Sequence, residues 1–322
     1  AWSNMAASRE ALVFAGMGTS EFTSESIASR LCFRGRRARS FDAGELYYQE
    51  AARLPKSTFF VLSSQSGESV EIRNLVSLGG IGRYAAITND EGSTLAKGAA
   101  LVLPLCAGAE ATITTKTYSN NLALARLLEA RLDGKPQADR ALDALDRAAD
   151  AMESVDSDGI EAAADAIART EGPFPFLAFS GRGDSVVSAR QCGLTFMEGV
   201  KRPAAAYAGG AFRHGPFEGV GPGLALVVFD ASPRTSSLVE GLALDAAGRG
   251  SPVVLMDGVG SRAHKAFSTV RLPQLTAEGD DALGLFPVLA ARSHNLLLYA
   301  LASRLGIEAG VFRYGGKITS KE

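Results

Sequence analysis

The sequence predicts an α/β protein of two domains, each built on a doubly wound parallel sheet, and three observations carry that expectation. Short apolar runs closed by Gly, Ser or Asn alternate with helix-length amphipathic stretches, the rhythm of βαβ units. The rhythm stops at an Ala-, Asp- and Arg-rich segment without a strand candidate, over 136–169, and restarts after Gly172-Pro173. A Gly-rich turn recurs near the start of each half, as Phe14-Ala-Gly-Met-Gly-Thr-Ser20 and Phe179-Ser-Gly-Arg-Gly-Asp-Ser185. Taken alone, the echo fits two unrelated strand-to-helix turns as well as it fits a duplication; the restart of the whole pattern favours duplication.

In order, the first half offers strands at Leu12–Ala15, Ala38–Phe41, Thr58–Ser63, Tyr84–Thr88 and Ala100–Leu105. These are buried-looking runs, suited to a parallel sheet covered on both faces. Helices are expected over Glu21–Arg34, Gly44–Arg53, Glu68–Leu78 and Thr117–Leu132, where apolar residues fall three and four apart. Two helices over 136–169 form a linker, 136–171, between a first domain at 1–135 and a second at 172–322. The second domain reads as strand Pro175–Ser180, helix Ser185–Gly199, strands Leu224–Phe229, Pro252–Met256 and Ser268–Leu272, and a closing helix Leu283–Leu305 before a C-terminal tail.

Composition removes several classes of function. The 322 residues include 33 basic and 35 acidic side chains, a net charge of −2, with no basic cluster to track a nucleic acid backbone. The longest apolar runs, such as Leu224–Phe229, are strand-length, far short of the roughly 20 residues of a membrane helix. The opening Ala1-Trp2-Ser3-Asn4 lacks the charged and apolar regions of an export signal, so a soluble cytoplasmic protein is expected. Cys32, Cys106 and Cys192 are far apart and read as buried free thiols. His214, His264 and His294 are equally scattered, and neither a metal nor another cofactor is expected.

The segment Ser63-Ser64-Gln65-Ser66-Gly67-Glu68-Ser69 follows a strand and opens a helix. A helix N-terminus offers unpaired N–H groups and the positive end of the macrodipole, so Ser64, Gln65, Ser66 and Ser69 can complete a shell around a phosphate. The plain alternative is a Ser-rich N-cap. A cap uses one hydroxyl, whereas several converge here, which favours the anion. Thr19 and Ser20, in the first βα turn, lie where open α/β sheets bind ligands, though helix capping explains them as well.

Five motifs occur in order: Gly18-Thr19-Ser20, Ser64-Gln65-Ser66-Gly67-Glu68-Ser69, Thr115-Lys116-Thr117, Gly181-Arg182-Gly183 and Arg213-His214-Gly215-Pro216. With them the chain resembles, over nearly its whole length, the SIS (sugar isomerase) phosphosugar-binding proteins. More closely, it resembles the two-domain isomerase module of glucosamine-6-phosphate synthase and its stand-alone deaminase and deglycase relatives. The resemblance implies two flavodoxin-like SIS domains related by duplication, with the phosphate on Ser64, Gln65, Ser66 and Ser69, and with Thr19, Ser20 and Thr114 near the sugar hydroxyls. It further implies that Glu198 moves a proton between C1 and C2 through an enediol. His214, sixteen residues later, would open the sugar ring from across the interface of a homodimer. Lys317, one of 8 lysines against 25 arginines, would close the tail over the sugar. Without the resemblance, Glu198 reads as a solvated helix-end carboxylate, His214 as a loop histidine, Lys317 as part of a solvated terminus, and His264 and His294 as structural.

Departures from the family fall at the sugar end of the pocket. Thr195, expected with Thr19, Ser20 and Thr114 among the sugar-binding residues, replaces a lysine three residues before Glu198, Gln191 and Ala211 replace glutamates, and the stretch around Glu110 is one residue shorter. No glutaminase segment or N-terminal cysteine nucleophile precedes the module, so glutamine-dependent amination is not expected; nor does a helix-turn-helix, which argues against the family's transcriptional regulators. The expected activity is isomerisation of a hexose 6-phosphate or amino-hexose 6-phosphate, with or without deamination. A fructosamine-6-phosphate deglycase, an isomerase of a sulfonated sugar and a non-catalytic phosphosugar sensor are the alternatives.

Overall fold

A computed structural model describes residues 1–7, 11–78, 81–261, 263–275 and 284–318. The chain divides into two compact units, 1–143 with 313–322, and 144–312. The division falls inside a helix, α7 (Lys135–Ala151), and not at a loop. The tail from Arg313 groups with the first unit, whereas the sequence reading assigned it to the second domain.

The first unit is a five-stranded parallel sheet of β1 (Ala11–Gly16), β2 (Ala38–Asp42), β3 (Thr58–Ser63), β4 (Tyr84–Thr88) and β5 (Leu101–Pro104), in the order β2-β1-β3-β4-β5. Its helices are α1 (Trp2–Ala7), α2 (Thr19–Phe33), α3 (Ala43–Glu45), α4 (Val70–Ser77), α5 (Thr94–Lys97) and α6 (Lys116–Leu132). Successive strand residues point to opposite faces, and both faces are filled. Phe14, Phe59 and Val61 join Ile27 of α2 and Leu128 of α6 in one core, while Val13, Phe60 and Leu62 join Leu46, Ile72 and Leu75 in the other. This two-sided burial is why β1, β3 and β4 read as near-continuous apolar runs, whereas the edge strand β2, Ala38–Asp42, is interrupted by Arg39 and Ser40. Between α2 and α6 the buried Glu129 receives Arg30 at 2.7 Å and Arg34 at 3.1 Å.

The second unit contains α8 (Ser157–Ala168), α9 (Val186–Val200), α10 (Ser236–Ala247) and α11 (Phe286–Arg304) around β6 (Phe176–Gly181), β7 (Ala204–Ala208), β8 (Leu224–Asp230), β9 (Val253–Asp257) and β10 (Ser268–Arg271). These strands are also parallel, in the order β10-β9-β8-β6-β7. Read from β7, that is the connectivity of the first sheet, the 2-1-3-4-5 order of flavodoxin-like folds. The repeated Gly-rich turns coincide in detail. A Cβ on Gly16 would lie 2.7 Å from Ser20, and one on Gly181 would lie 2.5 Å from the Ser185 carbonyl oxygen. Gly18 and Gly183 have φ of +53° and +56°. Each first strand thus turns into its helix too tightly for any residue but glycine.

Several expectations change. Cys32 and Cys106 are exposed and only Cys192 is buried. Cys32 falls on the outward side of α2 beside the exposed Phe33, and Cys106 lies just past an edge strand at φ +51°. The expected helix Gly44–Arg53 is α3, a π turn over Leu46–Glu50 and a 3₁₀ turn over Ala51–Arg53. The edge strand β7, with sequence AAAYA, carries no strand signal of its own. Of the expected closing helix, Leu283 lies outside the described residues.

Substituting Gly181→Ala should destabilise the second unit by about 1–3 kcal/mol, because Ser185 cannot retreat without moving the start of α9. Urea denaturation of the full chain reads this as a lowered midpoint.

Candidate functional site

In the first unit, β3 ends at Ser63, whose hydroxyl accepts from Asn121 of α6 at 2.9 Å. The following turn is bound to its neighbour by main-chain hydrogen bonds. Ser64 N–H donates to the Ile87 carbonyl at 3.0 Å, Asn89 N–H to that of Gln65 at 3.0 Å, and Leu95 N–H to that of Gly67 at 3.2 Å. Gly67 has φ +65°, and a side chain there would collide with Ser93, the N-cap of α5. Glu68 is turned aside: its carboxylate accepts the N–H and hydroxyl of Thr94 at 2.6 and 3.0 Å, and the Thr94 N–H chiefly holds it below the usual carboxylate range.

What the turn then presents is a ring of hydroxyls and amides. Ser64 Oγ accepts Gly67 N–H at 3.1 Å and lies 3.5 Å from Ser69 Oγ, and Ser66 Oγ accepts Glu68 N–H at 3.2 Å. Ser69 is the N-cap of α4, yet its side chain makes no capping bond. The helix start is therefore open to an external acceptor, the condition under which a helix N-terminus binds an anion. The first βα turn lies alongside, since β1 pairs with β3. Gly18, the N-cap of α2, has no side chain to spend there, leaving buried Thr19 and half-buried Ser20 at the same carboxyl edge.

Thr114 and Lys317 meet in the same unit. The Lys317 ammonium donates to the Thr112 carbonyl at 2.6 Å and the Thr114 hydroxyl at 3.3 Å, and pairs with Glu110 at 3.2 Å. Glu110 is buried, and one of its oxygens accepts the N–H groups of Thr115 and Thr117 at 2.9 and 3.0 Å. Burial pushes its carboxyl up, but the Thr117 and Thr115 bonds and the Lys317 charge outweigh that and hold it below the ordinary range. A residue marked in the sequence only by a shortened loop thus caps α6 and anchors the tail; its carboxylate just ahead of Thr115-Lys116-Thr117 was the available signal.

The second unit holds the other expected residues. Glu198 lies half-buried two residues from the end of α9, its carbonyl accepting from the Lys201 ammonium. Lys201 itself ends the helix at φ +57°. Thr195 is fully enclosed and its hydroxyl donates to the Gln191 carbonyl at 2.9 Å, so that proton is directed along the helix. His214 is exposed, between the 3₁₀ turn Ala211–Arg213 and Gly215 at φ +120°. Its loop is fastened to α10: Arg213 pairs with Asp245 at 2.7 Å, and Arg213 and Arg249 both lie over the Phe217 ring. His264 stacks on Phe267, and His294 is buried in α11, where burial lowers its pKa to about 4 and keeps it neutral near pH 7. Among the described residues, no three His, Cys, Asp or Glu side chains gather to hold a metal, and no helix is long and apolar enough to cross a membrane.

Comparison with known proteins gives this geometry a context. The SIS domain family matches residues 177–294. The isomerizing glutamine–fructose-6-phosphate aminotransferase of Methanothermobacter thermautotrophicus is 29% identical over 281 residues, covering 84% of this chain and 44% of that protein. The chain thus spans less than half the length of the first curated relatives it matches. The fold is that of the C-terminal domain of glucosamine-fructose-6-phosphate aminotransferase from Francisella tularensis, with TM-score 0.79 at 19% identity, over 96% of this chain and 88% of that one. It is equally that of glucosamine-6-phosphate deaminase from Thermotoga maritima, with TM-score 0.73 at 19% identity, over 96% and 90%.

The Glu110 carboxyl has a lowered pKa when folded, so its contribution is complete above the ordinary carboxylate range and is lost as pH falls through the folded value. Glu110→Gln should flatten that part of the acid limb in melts followed downward from neutral pH, and should cost about 1–3 kcal/mol at neutrality.

Proposed function

Because the chain carries a SIS domain and is homologous to the isomerizing aminotransferases over most of its length, we propose that it is a phosphosugar aldose-ketose isomerase, acting through an enediol on a hexose 6-phosphate or amino-hexose 6-phosphate. The observation that carries this reading is the Ser64–Ser69 turn, whose N-cap hydroxyl is not spent on its own helix. A phosphate there accepts from Ser64, Ser66 and Ser69, from the Gln65 amide and from the first N–H groups of α4. Thr19, Ser20 and Thr114 take sugar hydroxyls.

In this mechanism His214 moves the ring hydroxyl proton and opens the sugar. The Glu198 carboxylate then removes the proton next to the carbonyl and returns it to the neighbouring carbon, serving as base and afterwards as acid. An enediolate accumulates negative charge on two adjacent oxygens, and a cation lowers that barrier most where water is excluded. Lys317 fills this role, its ammonium already sharing Thr114. In this reading His214, exposed on the single chain, serves the neighbouring subunit's site in a homodimer.

The test offers fructose 6-phosphate, glucosamine 6-phosphate and a 6-phosphofructosamine separately in deuterated buffer, following exchange at C1 and C2 by NMR and ammonia release in parallel. The expected result is deuterium uptake with one sugar, abolished in Glu198→Gln while binding persists. Uptake that continues undiminished in Glu198→Gln would remove that carboxylate from the mechanism. The Ser64→Ala/Ser66→Ala/Ser69→Ala variant should raise KM at least tenfold for the phosphorylated sugar, as loss of several charge-assisted hydrogen bonds implies. Mixing Glu198→Gln with His214→Ala chains should restore about a quarter of the activity if the two residues come from different subunits of a dimer, and none if they come from one.

A further inference from the structure

Lys317 meets three acceptors, all within the first unit. The Thr112 carbonyl lies 2.6 Å from its nitrogen, Glu110 Oε2 3.2 Å and the Thr114 hydroxyl oxygen 3.3 Å. A primary ammonium has three protons and no lone pair, so the acceptors match the protons in number. Glu110 is itself fixed. Its Oε1 accepts the N–H groups of Thr115 and Thr117, and its Oε2 accepts the Thr117 hydroxyl besides Lys317. The Glu110 side chain is 2% exposed and that of Lys317 20%. The pair is therefore mostly out of water, where taking the proton from the lysine would strand the charge of its partner.

A lysine near a sugar carbonyl can act in two ways, and they need opposite states of the nitrogen. As a cation it keeps its three protons and lowers the energy of an enediolate. As a nucleophile it must first give a proton to a base. The freed lone pair then attacks the carbonyl carbon, a C–N bond forms, and the carbonyl oxygen leaves as water, giving an imine. The base beside Lys317 is Glu110. Burial pushes that carboxyl up, but the Thr117 and Thr115 bonds and the lysine's own charge outweigh burial and make it a weak proton acceptor. Two further lysines near candidate groups are also engaged, Lys116 on the Ala109 carbonyl and Lys201 on that of Glu198.

We infer that Glu110 is a positioning residue that keeps Lys317 an ammonium, so that Lys317 acts on the sugar as a fixed cation and not as an imine-forming amine. Its action on the sugar rests on the proposed reading of Lys317 as the cation of the site; its state as an ammonium does not. The handling of nitrogen follows from that state. An amino sugar or a fructosamine loses its nitrogen only when water adds to the sugar's own C=N carbon, the amine leaving and a carbonyl remaining, because this lysine does not take the nitrogen's place.

Reductive methylation of the full chain with formaldehyde and cyanoborohydride, followed peptide by peptide in a mass spectrometer, reads the state of each lysine without any sugar. Lys317 should react about tenfold more slowly than the exposed Lys56. Glu110→Gln keeps the shape of the side chain and an oxygen for the Thr115 and Thr117 N–H groups but removes the charge. It should speed Lys317 about fivefold or more and leave Lys56 unchanged. Thr114→Val, which takes away one acceptor and leaves Glu110 in place, should speed Lys317 by a smaller factor and carries the test if urea denaturation shows Glu110→Gln unfolded. A Lys317 as reactive as Lys56 in the wild type overturns the inference, and so does a rate that no folded variant changes. A second arm adds cyanoborohydride during incubation with fructose 6-phosphate. No sugar should remain on Lys317, and an adduct there overturns the inference. If no phosphosugar shows exchange or ammonia release, the proposed function falls, while the methylation rates still decide the state of Lys317.

Discussion

The carboxyl edge of each sheet depends on one close contact, between a strand-ending glycine and the serine one helical turn further on. With Gly16 against Ser20 and Gly181 against Ser185, the helix starts as soon as its strand stops, and its first N–H groups face the edge instead of a loop. The neighbouring strand, β3 or β8, is held in register with that glycine-ended strand, so its own turn and helix start are placed relative to the same point. A looser first turn would leave hydroxyls such as Ser20 and Ser69 in the chain but not at one edge. The contact is steric, and it sets where hydrogen-bonding groups are available before any of them meets a ligand.

Duplication on this plan gives two edges with one strand order and unequal chemistry. The first unit keeps small hydroxyls beneath its turn, which can donate or accept and carry no charge. The second has buried carboxylates, Asp230 and Asp257, at the ends of β8 and β9, and its candidate groups, Glu198 and His214, lie on different elements, α9 and the loop after β7. The copies have thus kept their strand order while the turn after the third strand has changed in backbone as well as in charge: Gly67 at φ +65° has Pro233 at its place, and the N-cap is extended at Ser69 but helical at Thr235.

Most of the architecture was legible because buried parallel strands announce themselves as short apolar runs, and nine of the ten strands among the described residues overlap a segment read as a strand, including β2 and β10, where polar residues interrupt the run. The tenth, β7, is an alanine-rich edge strand placed by tertiary pairing alone. The turn at Ser64–Ser69 was legible from hydroxyl density. The partnership of Lys317 with Glu110 was not, since 207 residues separate them and each is an ordinary charged residue locally. Thr195 shows a related limit: spacing put it beside Glu198 on α9, but only packing shows that it is enclosed, with its hydroxyl bonded back along the helix.

The outer strands carry a further consequence. β5 and β10, at one edge of each sheet, are only four residues long, and proline stands at position 104 within the first and at 273 shortly after the second. Leu105 N–H donates inward to Thr88 and Leu272 N–H inward to Asp257, so the flanking Pro104 and Pro273 each remove an amide from the outward side. A foreign strand approaching either border finds a short ladder with a missing rung. The chain can therefore keep two strongly apolar parallel sheets at high concentration without offering those borders as templates for intermolecular aggregation.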